Sequence, residues 1–227
     1  MGHQQKRRVN GLNGGMRDKK NIHYHFSARD DLIRLIPPQA RRILEVGCAG
    51  GMTGKALKEK GVEEIVGIEI NEEVAQSGKC FYNQLIIGDI EKVNLPFEEE
   101  HFDCILYGDV LEHLVDPWRV LKEHHRFLKK RGTIICSIPN IRHYRIIKKL
   151  MFKGKWEYTG DGILDRTHLR FFTLDSIQTM LNEAGFEIRE LVKRLSGAFW
   201  LRWINRLTGN RLAEFLVRQY IVVAIKR

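Results

Sequence analysis

Small residues crowd one turn of this chain. In the stretch "RILEVGCAGGMTGKALKEKG", Gly47, Ala49, Gly50 and Gly51 fall within five positions, directly after an apolar run and before a helix-like segment. Glycine adopts positive φ and lets main chain approach a guest closely. The start of a helix offers free N–H groups. Such a turn is either an ordinary tight strand-to-helix connection or the cradle of a nucleotide-like ligand, and glycines alone do not decide between them.

The surroundings favour the cradle. From Arg41 to Lys130 short apolar runs alternate with helix-like segments. "RILEV", "EIVGIEI", "QLIIGD", "FDCILYGDV" and "GTIICSIPN" read as strands. "TGKALKEKG", "NEEVAQSGK" and "PWRVLKEHHRFLKK" read as helices, the second capped by Asn71 and the third opened by Pro117. This series predicts an α/β fold, doubly wound around a mostly parallel sheet with helices on both faces. The alternation breaks over residues 140–170, which read as a lid or substrate insertion. "TLDSIQTMLNEAGF" returns to helix, with Thr173 or Asp175 at the cap and Gly185 at the stop. "EIRELVK" and "RQYIVVAIKR" then form an antiparallel hairpin at one sheet edge.

With 227 residues and 43% hydrophobic content, the chain suits one domain over 21–227, preceded by a flexible basic arm over 1–20. The arm has charge but no apolar stretch, so it does not read as a secretory signal. The four cysteines, Cys48, Cys80, Cys104 and Cys136, form no CxxC pair. This reads as a reducing, cytoplasmic setting without disulfides or structural zinc.

Acids stand at the ends of successive strands. In a parallel sheet ligands bind at the carboxyl ends of the strands. Glu45 ends the first strand and is placed to meet an ammonium group. Glu69 ends the second, where an acid accepts hydrogen bonds from ribose hydroxyls, and Asp89 follows the third, facing an adenine amino group. "ILEVGCAGG", "IVGIEI", the Gly-Asp pair after the third strand, "DVLEHLVDP" and "RTHLRFFTLDSIQTMLNEAGFEI" together resemble the class I S-adenosylmethionine-dependent methyltransferases. Within these they resemble the branch of ubiquinone-biosynthesis O-methyltransferases and of sugar and natural-product methyltransferases. The rival nicotinamide-dinucleotide spacing, Gly-x-Gly-x-x-Gly, is not met, since Ala49 and Met52 stand at its second and third glycines.

The resemblance implies a seven-stranded Rossmann-like sheet with its last strand antiparallel, and S-adenosylmethionine as cofactor. It implies that Gly47 and Gly51, with the backbone of Cys48 and Ala49, line the methionine and ribose portions. Glu69 would hold the ribose, Ile70 would pack on adenine, and Asp89 and Ile90 would border the adenine edge. Tyr107, Gly108 and Asp109 would lie beside the reactive methyl, and Tyr24 would close over the cofactor. The family usually has glycine where Ala49 stands; a methyl there costs little if φ is negative, and binding is then expected to survive.

Methyl transfer to a hydroxyl needs a base, and histidine is the usual one. His113, just past the fourth strand, His143 and His168 are the candidates. Some relatives hold a divalent metal near this position. Here Glu112 and His113 are neighbours that a helix would point to different faces, so no tightly bound metal is expected. The formal net charge is +10, and two stretches, Asn140–Trp156 and about 192–218, are basic and aromatic. They read as a solvated surface, as an interfacial segment for peripheral membrane contact, or as a nucleic-acid track. The nucleic-acid reading is the weaker, because the fourth strand lacks the Asn/Asp-Pro-Pro-Tyr motif and no Pro-Cys dipeptide occurs. The expected activity is methyl transfer to a small-molecule, sugar or lipid-linked acceptor, at oxygen. The alternatives are an RNA methyltransferase and a non-catalytic, membrane-associated cofactor-binding protein.

Overall fold

The computed structural model of the chain describes residues 27–196, 203, 206, 207, 209 and 212–227. The arm, Tyr24 and much of the second basic stretch lie outside the described residues. Seven strands form one sheet: β1 (Arg42–Val46), β2 (Glu64–Glu69), β3 (Gln84–Ile87), β4 (Phe102–Gly108), β5 (Leu128–Pro139), β6 (Phe186–Leu195) and β7 (Val217–Lys226), in the order β3-β2-β1-β4-β5-β7-β6. The first five pair in parallel. β7 runs antiparallel to both β5 and β6 and slots between them, leaving β6 at the edge.

Both faces of the sheet are covered, so the central strands carry apolar residues at consecutive positions. Val46, Ile105 and Tyr107 pack into one core, and Ile43, Cys104 and Leu106 into the other. The helices are α1 (Asp30–Ile33), α2 (Met52–Glu59), α3 (Glu72–Gly78), α4 (Pro117–His125), α5 (Tyr144–Lys153), α6 (Leu174–Glu183) and α7 (Ala213–Leu216). Their starts follow the sequence signals. The Asn71 side chain accepts from the Val74 amide, Asp116 accepts from Arg119 ahead of Pro117, and Thr173 and Ser176 close a reciprocal box. Such caps contribute about 1 kcal/mol each.

One boundary differs from expectation. "FLKK" does not continue the helix: α4 stops at His125, and Leu128 already pairs with Phe102 in β4. Pairing to a buried neighbouring strand outweighs the helix propensity of two lysines. Residues 154–173 carry little regular structure. They are tied down by bridges at Asn140–Phe172 and Thr159–Asp165, and the Leu169 and Arg170 amides both donate to the Glu112 carbonyl, at 2.8 and 3.0 Å.

Candidate active site

The glycine turn lies at the carboxyl end of β1, on the wall of a cavity of about 280 Å³. Gly47 has φ 73°, and a Cβ placed there would come within 2.5 Å of Val110 Cγ2. Conformation and space both demand glycine at this position. Gly51 (φ 79°) caps α2, and a Cβ there would meet Gly78 Cα at 2.8 Å. Its role is close packing of the turn against α3, and it does not line the cavity. Ala49 overturns an expectation. Its φ is +44°, in the left-handed region, where a Cβ costs roughly 1–2 kcal/mol. The premise of a negative φ fails.

Glu45, Cys48 and Ala49 share the cavity wall with Gly47, Gly108 and Asp109. Glu45 is buried and accepts a 2.7 Å hydrogen bond from the Tyr82 hydroxyl. Burial pushes its carboxyl up to about 7. Glu69 sits one strand over, its two oxygens accepting from the Ala49 amide at 2.9 Å and the Asn71 amide at 3.0 Å. Beyond it, Ile70 stands 69% exposed, an open apolar surface at the tip of β2. Ile90 is buried. Asp89 binds Lys92 at 2.8 Å and the Glu91 amide at 3.0 Å; the Lys92 hydrogen bond, then that of the amide, hold its carboxyl below the usual range.

Tyr107 is a correction. Its side chain is fully buried in the core on the opposite face, with its hydroxyl against His124 Nδ1. Strand alternation sends Leu106, not Tyr107, to the cavity side.

Arg29, which carries no motif, dominates the other wall. Its guanidinium reaches Asp109 at 2.8 Å, Asp31 at 3.0 Å and Ser137 at 3.0 Å. Ser137 donates to Asp109 Oδ1 and accepts from the Asp109 amide, and Gln219 also donates to that carboxylate. Asp109 is held at φ 59°, a strained position fixed by these bonds. Asp31 also binds Arg194 at 3.0 Å; burial works to raise its carboxyl, but Arg29 and Arg194 outweigh it and hold the carboxyl below the usual range. No local spacing rule links residues this far apart in sequence.

The histidines separate. His113 and His168 meet edge to face, ring centroids 4.7 Å apart. His113 Nδ1 lies 3.2 Å from the Thr167 carbonyl and His168 Nδ1 lies 3.0 Å from the Ile163 carbonyl. A carbonyl only accepts, so both Nδ1 atoms carry a proton, and in the neutral ring of His113 the lone pair is then on Nε2. Burial, then the charge of His168, holds His113 below the usual imidazole value. His143 is not with them. It is buried against Ser196 at 2.8 Å, and of the three histidines only His168 lines a cavity.

Glu112 completes the cluster. It is 1% exposed, and neither carboxylate oxygen has a hydrogen-bond partner. Burial, then the nearby charge of Asp109, drives its carboxyl well above the usual range. The reason given above against a shared ion does not hold. Leu111–His113 is a tight 3-10 turn, and the ligand atoms of Glu112, His113 and His168 lie within 4.8 Å of one another. His168 also lines a second cavity of about 390 Å³ with Tyr158, Arg166 and Leu169. The turn therefore stands between Asp109, on the first cavity, and His168, on the second.

Residues 20–191 match the family described as methyltransferase domain. Similar proteins include the demethylmenaquinone methyltransferase of Geobacillus kaustophilus, 28% identical over 185 residues, covering 71% of this chain and 78% of that protein. The ubiquinone biosynthesis O-methyltransferase of Haemophilus ducreyi is 24% identical over 195 residues, covering 76% and 77%. Among solved structures, an S-adenosylmethionine-dependent methyltransferase from Thermotoga maritima superposes with a TM-score of 0.64 at 21% identity, covering 94% of this chain and 96% of that one, a likeness of fold. The chain belongs to the methyltransferase-domain family and is a class I S-adenosylmethionine-dependent methyltransferase.

Proposed function

We propose that this enzyme methylates a hydroxyl oxygen of a small-molecule, sugar or lipid-linked acceptor that enters through the second cavity. The observation that carries this reading is the Glu112–His113–His168 cluster, set between the two cavities with both Nδ1 atoms turned to main-chain carbonyls. The residues of the first cavity fit S-adenosylmethionine. Gly47 lines that cavity with bare main chain, Glu45 is a buried carboxylate for an ammonium group, and Arg29 suits a tail carboxylate. Glu69 would take the ribose hydroxyls, with Ile70 and Ile90 beside the adenine.

The cofactor supplies a methyl group on a sulfonium centre, open to in-line displacement. The chain's own work is to orient the acceptor, exclude water and remove one proton. His113 Nε2 takes the proton from the acceptor hydroxyl. Thr167 fixes its tautomer, and burial keeps the ring neutral near pH 7. The test is label transfer from S-adenosylmethionine to hydroxyl-bearing acceptors, with total RNA as the competing arm. Label found only in RNA refutes the reading. The four thiols are free, which supports a cytoplasmic setting.

A second reading rests on the orphaned Glu112 oxygens. A divalent cation would be held by a Glu112 oxygen and one ring nitrogen each of His113 and His168, and would supply a Lewis acid for the acceptor oxygen. A thermal shift with zinc or magnesium that Glu112→Gln abolishes would support it, and no shift at any concentration would remove it.

A further inference from the structure

Helix α5 buries none of its residues, and from Leu150 to Asp161 the chain is exposed throughout. This run opens with three large apolar side chains, Leu150, Met151 and Phe152, of which the last two are 66% and 71% exposed. Trp156 and Tyr158 follow, also exposed. Contiguous apolar surface of this kind marks an interaction site.

The charges around it select the partner. Between Asn140 and Trp156 there are six Lys or Arg and no Asp or Glu. Arg142 is paired with Glu214, and Lys149 and Lys155 share Glu157. Arg145, Lys148 and Lys153 have no acidic partner among the described residues. Apolar tips flanked by cations that lack an acidic partner among the described residues match the boundary between acyl chains and anionic headgroups. A second copy of the same surface would bring like charges together. Phe152, Trp156 and Tyr158 offer faces on which bases would stack, but Leu150 and Met151 at the helix end are aliphatic and add nothing to stacking, whereas all five suit an acyl boundary.

We infer that the α5 tip docks on an anionic lipid bilayer. Met151 and Phe152 enter the acyl boundary, and Arg145, Lys148 and Lys153 meet lipid phosphates. The exposed run reaches the second cavity at Tyr158, which lines it together with Leu169 and His168. A docked molecule therefore turns that cavity toward the lipid, where an amphiphilic acceptor resides.

The test is co-sedimentation of the full chain with phosphatidylcholine vesicles, with and without phosphatidylglycerol. Binding to the anionic vesicles alone, weakened by salt, is expected. Lys148→Gln and Lys153→Gln should each weaken it about fivefold. Met151→Ser with Phe152→Ser should abolish it while leaving the melting temperature unchanged, because both side chains are exposed. Equal binding to neutral vesicles, no binding at low salt, or wild-type binding by these variants overturns the inference. So does an α5-dependent capture of RNA or an α5-dependent dimer in place of vesicle binding. The readout does not involve methyl transfer, so it fails or succeeds separately from the reading of the active site.

Discussion

The Glu69 carboxylate accepts a 2.9 Å hydrogen bond from the Ala49 amide and so joins the tip of β2 to the small-residue turn after β1. Its second oxygen takes the Asn71 amide at the head of α3. One side chain thus shapes the turn and also faces the expected ribose site. Glu69→Ala should weaken binding of S-adenosylhomocysteine at least several-fold by calorimetry. It should also lower stability by about 1.5–3 kcal/mol, the range for hydrogen bonds to a charged group. Glu69→Gln keeps an acceptor oxygen and should recover part of the stability but less of the affinity. Unchanged affinity in both variants removes Glu69 from the site.

Ala49 holds φ +44° within that turn. Ala49→Gly relieves the Cβ contact but gives the unfolded chain more freedom. The first effect is the larger, so the variant should be more stable by about 0.5–1 kcal/mol in denaturant unfolding. A destabilised variant would show that the strain assigned to this residue is absent.

These two residues mark what a sequence shows and what it hides. The turn, the Asn71 cap and the Thr173 box are local patterns, and all are readable along the chain. Tyr107 is not, because β4 is apolar on both faces and its alternation has no phase to read. Arg29 is also silent: it meets Asp109 across 80 positions, and nothing nearby announces the contact. His113 and His168 were each visible as histidines. Their meeting depends on residues 154–173 folding back onto Glu112, a tertiary event with no periodic signature. The resemblance to a known family supplied the cofactor, and the side chains around it still needed a structure to be sorted.

Glu45 makes a prediction about pH. Its carboxyl titrates near 7 in the folded chain against 4.5 in the unfolded one, with burial as the main cause. The folded state therefore holds the proton more tightly. The stability this contributes is complete below pH 4.5 and is lost as pH rises through 7, a change of about 3 kcal/mol for the ligand-free protein. His124 and His143 act in the opposite direction, because burial holds both at about 4, and their stability is lost as pH falls from 6.5. The comparison that isolates Glu45 is wild type against Glu45→Gln, by urea unfolding from pH 4.5 to 7.5. The difference between the two should change by that amount across the window. Saturating S-adenosylhomocysteine should shrink the change, since an ammonium beside Glu45 favours the ionised form. Parallel curves for the two proteins would show that Glu45 ionises normally.

His113 and Glu112 can be separated by kinetics. If His113 Nε2 takes the acceptor proton, His113→Ala lowers kcat by about 10²–10⁴-fold, the usual worth of a general base, and leaves S-adenosylhomocysteine affinity unchanged. In the wild type the rate should fall on the acid side at a pH below the ordinary imidazole value, because burial and His168 disfavour the charged ring. His168→Ala removes that neighbouring charge and should move the acid limb upward, with a smaller loss of kcat. Glu112→Gln removes a carboxyl that already favours its neutral form, so it should scarcely alter the rate if no ion binds there. A loss as large as that of His113→Ala, relieved in the wild type alone by added divalent ion, would assign Glu112 to a metal. Full activity in His113→Ala would retire the imidazole as the base and leave the displacement to orientation within the two cavities.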